Sequence, residues 1–93
     1  MVALEMIVVR NADVLDANVG TEDVLMNIAN GQYYALKATS QAIWKRLKEP
    51  VRVRDLCVDL ADAYAMPLET VTTDTLAFLN YLAAEKMIES RAD

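Results

Sequence analysis

The chain has 93 residues, 55% of them hydrophobic, with a net charge of −5, a single cysteine and no histidine. One compact domain accounts for that length, residues 1–93, because no Pro, Gly or Ser cluster divides it. The acidic balance argues against phosphate-backbone binding, the missing histidine removes the usual general base and commonest metal ligand, and Cys57 alone forms neither an intrachain disulfide nor a cysteine cluster.

Met6 to Arg10 is a short β-branched run that suits a strand. Val14 to Val19 interleaves polar and apolar residues loosely before Gly20, which supplies a turn. In the next run, Glu22 to Ala29, Val24, Met26 and Ile28 share one face while Leu25 and Asn27 share the other. Asn30-Gly31 then predicts a hairpin of type I′, in which both central residues need positive φ, so Gln32 to Leu36 returns antiparallel.

From Thr39 the apolar period becomes helical. Ala42, Ile43, Trp44 and Leu47 recur at that spacing, Thr39 or Ser40 can cap the start, and Pro50 ends the segment. Trp44 beside Ile43 reads as a core anchor. Val53, Leu56, Cys57, Leu60 and Tyr64 trace one face of a second helix, with Asp55, Asp59 and Asp62 outside. Cys57 on that face reads as a buried small hydrophobe rather than a reactive thiol. Pro67 fits the first turn of a third helix that reaches about Lys86, Glu69 suits its positive end, and Met87 to Ser90 is a last extended piece. Along this helix Val71, Thr75, Phe78, Leu79 and Leu82 form the core stripe. Leu76 and Ala83 widen it on the Leu79 flank, while Ala77, Tyr81 and Ala84 lie beyond its other edge. The extra width fits a groove, a broader core or a dimer contact.

The order predicts an α+β fold of winged helix-turn-helix type, a small antiparallel sheet of three strands followed by three α-helices. Gln32 to Leu36 enters from a hairpin and leaves into a helix, so one of its sides is expected to lack a partner strand.

Little in the chain points to catalysis. Asp13, Asp16, Glu22 and Asp23 lie near turns without calcium-loop spacing, the two glycines make no phosphate-cradling loop, and Ser40 and Ser90 have no histidine partner. Neither a cofactor nor a metal site is expected. The N-terminus shows no basic stretch before an apolar one, and no run approaches ~20 apolar residues, so the expectation is a soluble cytoplasmic protein with no membrane contact. Binding remains. A sheet edge that accepts a strand gains affinity from main-chain hydrogen bonds and selectivity from pockets for alternate side chains.

Gly31-Gln32-Tyr33-Tyr34-Ala35-Leu36, followed by Thr39, Ile43-Trp44, Leu47, Val53, Leu56, Leu60, Tyr64, Asp74, Phe78-Leu79 and Leu82, resembles the PqqD-like family over about residues 14–89. That resemblance implies a RiPP recognition element: a winged helix-turn-helix domain that binds the leader of a ribosomally made precursor peptide as an added strand beside the third helix. The implied partner is a peptide-modifying enzyme such as a radical SAM protein, a leader peptidase or a cyclase. Carried over by position, Gln32, Tyr33, Tyr34 and Ala35 supply the receiving strand, and Leu76, Leu79, Asn80 and Ala83 are the candidate cleft residues. The chain departs from the family pattern at Lys37, Thr75 and Lys86, the last standing where glycine often ends the helix.

Two other readings share this topology. A winged-helix DNA-binding protein would use the third helix in a major groove, yet that segment carries Glu69, Asp74 and Glu85 against Lys86 alone. A dimerisation module would pair the apolar flank with its copy; a weak homodimer is compatible with peptide binding, a tight and unresponsive one is not.

Overall fold

The computed structural model describes residues 1–92. Its elements are β1 (Ile7–Arg10), β2 (Val14–Val19), β3 (Glu22–Asn27), β4 (Gln32–Leu36), α1 (Ala38–Arg46), β5 (Val51–Arg52), α2 (Val53–Tyr64), α3 (Leu68–Ala84) and β6 (Ile88–Arg91). The strands form two antiparallel three-stranded sheets, β2-β3-β4 and β5-β1-β6. The first is the expected meander leading into the helices. The second is an addition: the runs expected to be extended at Met6 to Arg10 and Met87 to Ser90 pair here as β1 and β6, and β5, in an α1–α2 link too short to show a period of its own, pairs on β1's other side.

Turn chemistry sets the meander's register. Val19 faces Glu22 across a two-residue loop, and Gly20 takes φ 67° at its first position, as a type II′ hairpin requires. The second hairpin differs from the Asn-Gly expectation. Its closing pair is Asn27 with Gln32, the loop spans four residues, and only Gly31 (φ 70°), not Asn30, has positive φ. Gly31 N–H reaches Asn27 O at 2.7 Å, while Asn30 Oδ1 accepts from Gln32 N–H at 2.9 Å. The asparagine thus shapes the loop with its side chain rather than its backbone.

The helices also begin differently from the simplest reading. Lys37 precedes α1 without a side-chain cap, and Gln41 Nε2 instead donates to Leu36 O at 3.0 Å, so neither Thr39 nor Ser40 occupies the cap position. Pro67 sits just outside α3, which ends at Ala84 rather than Lys86. Both α2 and the α3–β6 link end on left-handed residues other than glycine, Ala65 at φ 51° and Lys86 at φ 58°.

One hydrophobic core joins everything, from Val2 and Val8 through Leu25, Trp44, Leu47, Val53, Leu56 and Leu79 to Met87 and Ile88. Trp44 is buried as expected, and its carbonyl accepts two hydrogen bonds from Arg10, whose guanidinium lies 4.6 Å from the indole centroid. Asp16 Oδ2, turned inward from β2, accepts from both Arg10 Nη1 and Trp44 Nε1 at 3.2 Å. This cluster ties the two sheets to α1. Cys57 is buried, and that desolvation pushes its thiol above the ordinary value, against smaller opposing hydrogen bonds from Thr72 and Thr75.

Candidate functional site

β4 pairs with β3 on one side, and no strand lies on its other side among the described residues. Which backbone groups are free follows from the register. In an antiparallel ladder each residue turns its N–H and C=O to one side, and the sides alternate. Ile28 donates to Asp13 O, toward β2, and Asn27 accepts from Gly31, toward β4. Leu25 and Asp23 therefore also turn toward β4, where they meet Tyr34 and Leu36. Tyr33 and Ala35 are left with their N–H and C=O groups directed outward, a two-residue template for another strand.

Side chains alternate with the same period. Tyr34 points inward against α3, and Tyr33 points out to solvent, 71% exposed. The Tyr34 ring meets Tyr81 edge to face at 6.1 Å between centroids, and its hydroxyl proton has two acceptors 2.9 Å away, Glu85 Oε2 and Gln32 Oε1. Partial burial, then the hydrogen bond to Glu85, pushes the Tyr34 phenol above its ordinary value. The buried amide of Asn27 adds a second clasp, donating from Nδ2 to Glu85 O at 2.9 Å. The end of α3 is thereby held beneath the hairpin, and the wall beside the open edge consists of Tyr34, Tyr81 and Glu85.

At 100° per residue, Asp74, Phe78, Tyr81 and Glu85 lie on one flank of α3, and Leu76, Asn80 and Ala83 on the opposite one. The β4 contacts fall on the first flank. The second is covered by the N-terminal segment: Val2 is buried, Val2 N–H donates to Asn80 Oδ1 at 2.8 Å, and Leu4 packs on the core. Asn80 Nδ2 meanwhile donates to Leu76 O at 2.9 Å. Leu79 is fully buried between the flanks. Of the residues singled out from sequence, the structure thus gathers Gln32, Tyr33, Tyr34 and Ala35 at the open edge. Leu76, Asn80 and Ala83 lie on the opposite flank, where Val2 N–H bonds Asn80, and Leu79 is buried in the core between the two. Tyr81 and Glu85 are the residues at the end of α3 that contact β4, through Tyr34. Their i, i+4 spacing from Ala77 and Tyr81 marks this flank, but only contact with Tyr34 distinguishes it from a solvated face.

Just past the end of β4, a recess of about 420 Å³ lies between α1, the end of α2 and the first half of α3. Ala42, Leu60, Tyr64, Met66 and Val71 line it, with Asp74 on the α3 side. Tyr64 and Met66 are themselves half exposed, so the recess is accessible, and Gln41, Lys45 and Arg46 of α1 add polar groups to its largely apolar lining. Among the described residues no group of three or more His, Cys, Asp or Glu side chains is placed to hold a metal ion. No helix among them is long and apolar enough to cross a membrane.

A family model described as "Coenzyme PQQ synthesis protein D (PqqD)" matches residues 22–88. The chain belongs to the PqqD family. That span begins at β3 and closes at the start of β6, so it contains the open edge, the recess and both flanks of α3. Among solved structures, "TbiB1 in Complex with the TbiA(beta) Leader Peptide" is similar, 29% identical with a TM-score of 0.79 over 91% of this chain and 99% of that one. No curated protein matches the chain. The family match and the TbiB1 likeness bear out the α+β fold of winged helix-turn-helix type.

Proposed function

We propose that this PqqD-family chain binds the leader segment of a ribosomally made precursor peptide by strand addition to β4 and presents the remainder to a modifying enzyme. The observation that carries the reading is the free side of β4, with Tyr33 and Ala35 backbone groups turned outward beside Tyr34, Tyr81 and Glu85. The TbiB1 structure, which contains a leader peptide, supports it from outside the chain. A guest residue opposite Tyr34 points inward against α3, and the 420 Å³ recess takes an apolar side chain where the guest runs on toward α1.

The role is recognition rather than catalysis, in the cytoplasm, with no cofactor. The partner enzyme is of the kind that acts on such precursors, for example a radical SAM protein, a leader peptidase or a cyclase. A weak homodimer is compatible with this. DNA binding has no support, because α3 carries Glu69 and Asp74 and no Lys or Arg.

Ala35→Pro tests the mode of binding. Proline removes the outward N–H while leaving the β3–β4 ladder intact, which is where an edge strand tolerates it. Titration with the leader of the precursor encoded beside this chain's gene is expected to saturate for the wild type. For the proline variant affinity falls by about tenfold or more, the worth of a main-chain hydrogen bond plus the imposed misfit. Equal affinity for wild type and Ala35→Pro, with the fold intact, rules out strand addition at β4.

A further inference from the structure

The outer face of the β2-β3-β4 sheet carries side chains that the core does not use. Register places Leu15, Met26 and Tyr33 in one cross-strand row and Ala17, Val24 and Ala35 in the next, and Val19 and Ile28 extend the face at opposite ends. Charge appears only at its margins, with Asp13 beside Ile28 at one end and Glu22 opposite Val19, next to Lys37, at the other. Leu15, Val19, Ile28 and Tyr33 are each more than half exposed. An antiparallel sheet with one solvated face ordinarily alternates apolar and polar residues, so a face that is apolar between its charged margins suits a partner.

Both rows end at β4, where the guest strand adds. Paired residues on neighbouring strands share a face, so guest side chains opposite Tyr33 and Ala35 continue the rows outward, while the one opposite Tyr34 turns in toward α3. Occupancy of the edge and the composition of the outer face are therefore one event. We propose that the outer face and the guest's outward side chains together form a composite docking surface for the enzyme that processes that guest, which engages the loaded chain in preference to the bare one. This rests on strand addition at β4.

Size and charge select this occupant over a second copy of the chain. Three strands about 4.8 Å apart and about six residues long give a footprint of roughly 300 Å², far below the roughly 800 Å² per partner of a stable association. A net charge of −5 on each copy adds repulsion. A processing enzyme supplies the missing area, since it must also hold the guest where it leaves the edge of this face.

The test uses the full chain with the precursor and processing enzyme encoded beside its gene. The double variant Leu15→Lys, Val19→Lys changes β2, two strands from the guest, at exposed positions, and Ala17→Arg serves as an independent second variant. Wild type and variants are expected to bind the precursor within about twofold of each other. Enzyme association with the loaded chain, and precursor conversion, fall by about tenfold or more in the variants. The enzyme also binds the loaded wild type several-fold more tightly than the bare chain. Unchanged association and conversion in both variants, with precursor binding intact, overturn the docking face and leave strand addition standing. If the wild type binds no precursor, strand addition itself fails and this inference with it. A wild-type dimer that the double variant dissociates assigns the face to a second copy and overturns the proposal.

Discussion

The two flanks of α3 are chemically similar on paper and opposite in use. Leu76, Asn80 and Ala83 on one side meet the chain's own first residues, closed by the hydrogen bond from Val2 N–H to Asn80 Oδ1. Tyr81 and Glu85 on the other side meet the meander through Tyr34 and stand beside an edge that no strand covers among the described residues. A helix face is free or filled according to what the rest of the chain lays upon it. Its own apolar width does not decide the matter.

The comparison is tested most severely at Leu79, which lies between the flanks and is fully buried. Leu79→Ala is expected to destabilise the fold by about 3 kcal/mol, the usual cost of truncating a buried leucine. Chemical denaturation measures this directly. If stability is unchanged while leader affinity collapses, Leu79 lines the cleft after all and the assignment of the flanks is wrong.

A matched pair then separates the flanks themselves. Tyr81 is about half exposed and contacts Tyr34. Tyr81→Lys is expected to weaken leader binding by about 1 to 2 kcal/mol, read by titration, with a change in stability of about half that. Asn80→Ala removes the clamp on Val2. It is expected to cost about 1 kcal/mol of stability, the net worth of a hydrogen bond to a part-buried group, and to leave leader affinity unchanged. Hydrogen exchange over residues 2–6 provides the readout, since those amides lose protection when the clamp goes. The reverse pattern, with Asn80→Ala weakening binding and Tyr81→Lys neutral, places the guest on the opposite flank.

How much of the fold and the site is legible in the residues depends on the range of the interaction. The meander, the three helices, Trp44 as an anchor and the open side of β4 follow from local patterning: alternation in Glu22 to Asn27, helical spacing from Ala42 onward, and a strand that passes straight into a helix. The β5-β1-β6 sheet joins segments more than forty residues apart, and Val51–Arg52 is too short for any period to register. The choice of flank is hidden for the same reason. It depends on Val2 reaching Asn80, 78 residues away, and a contact between a terminus and a distant helix leaves no local signature. Asn30-Gly31 misleads in a different way. The dipeptide suits a two-residue hairpin, but Asn27 and Gln32 close a longer loop in which the Asn30 side chain, not its backbone, satisfies the Gln32 N–H.

The smallest expected effect concerns how α3 hands over to β6. Glu85, which holds Tyr34 and Asn27, is succeeded by Lys86 at φ 58°, a left-handed conformation that costs a residue with a Cβ about 1 kcal/mol. Lys86 N–H still bonds Ala83 O and Met87 N–H bonds Leu82 O, so the turn keeps its hydrogen bonds and carries only the conformational strain. Lys86→Gly is therefore expected to raise stability by about 0.5 to 1 kcal/mol, less than the full strain because glycine also gives the unfolded chain more freedom. Ala65→Gly at the end of α2, at φ 51°, should behave alike and serves as a control distant from the cleft. If Lys86→Gly also weakens leader binding while Ala65→Gly does not, the lysine side chain itself contributes to the β4 flank, and the boundary of the site extends past Glu85. If both substitutions only stabilise, the site ends at Glu85, and the left-handed turn at Lys86 serves only to bring the chain back toward β1.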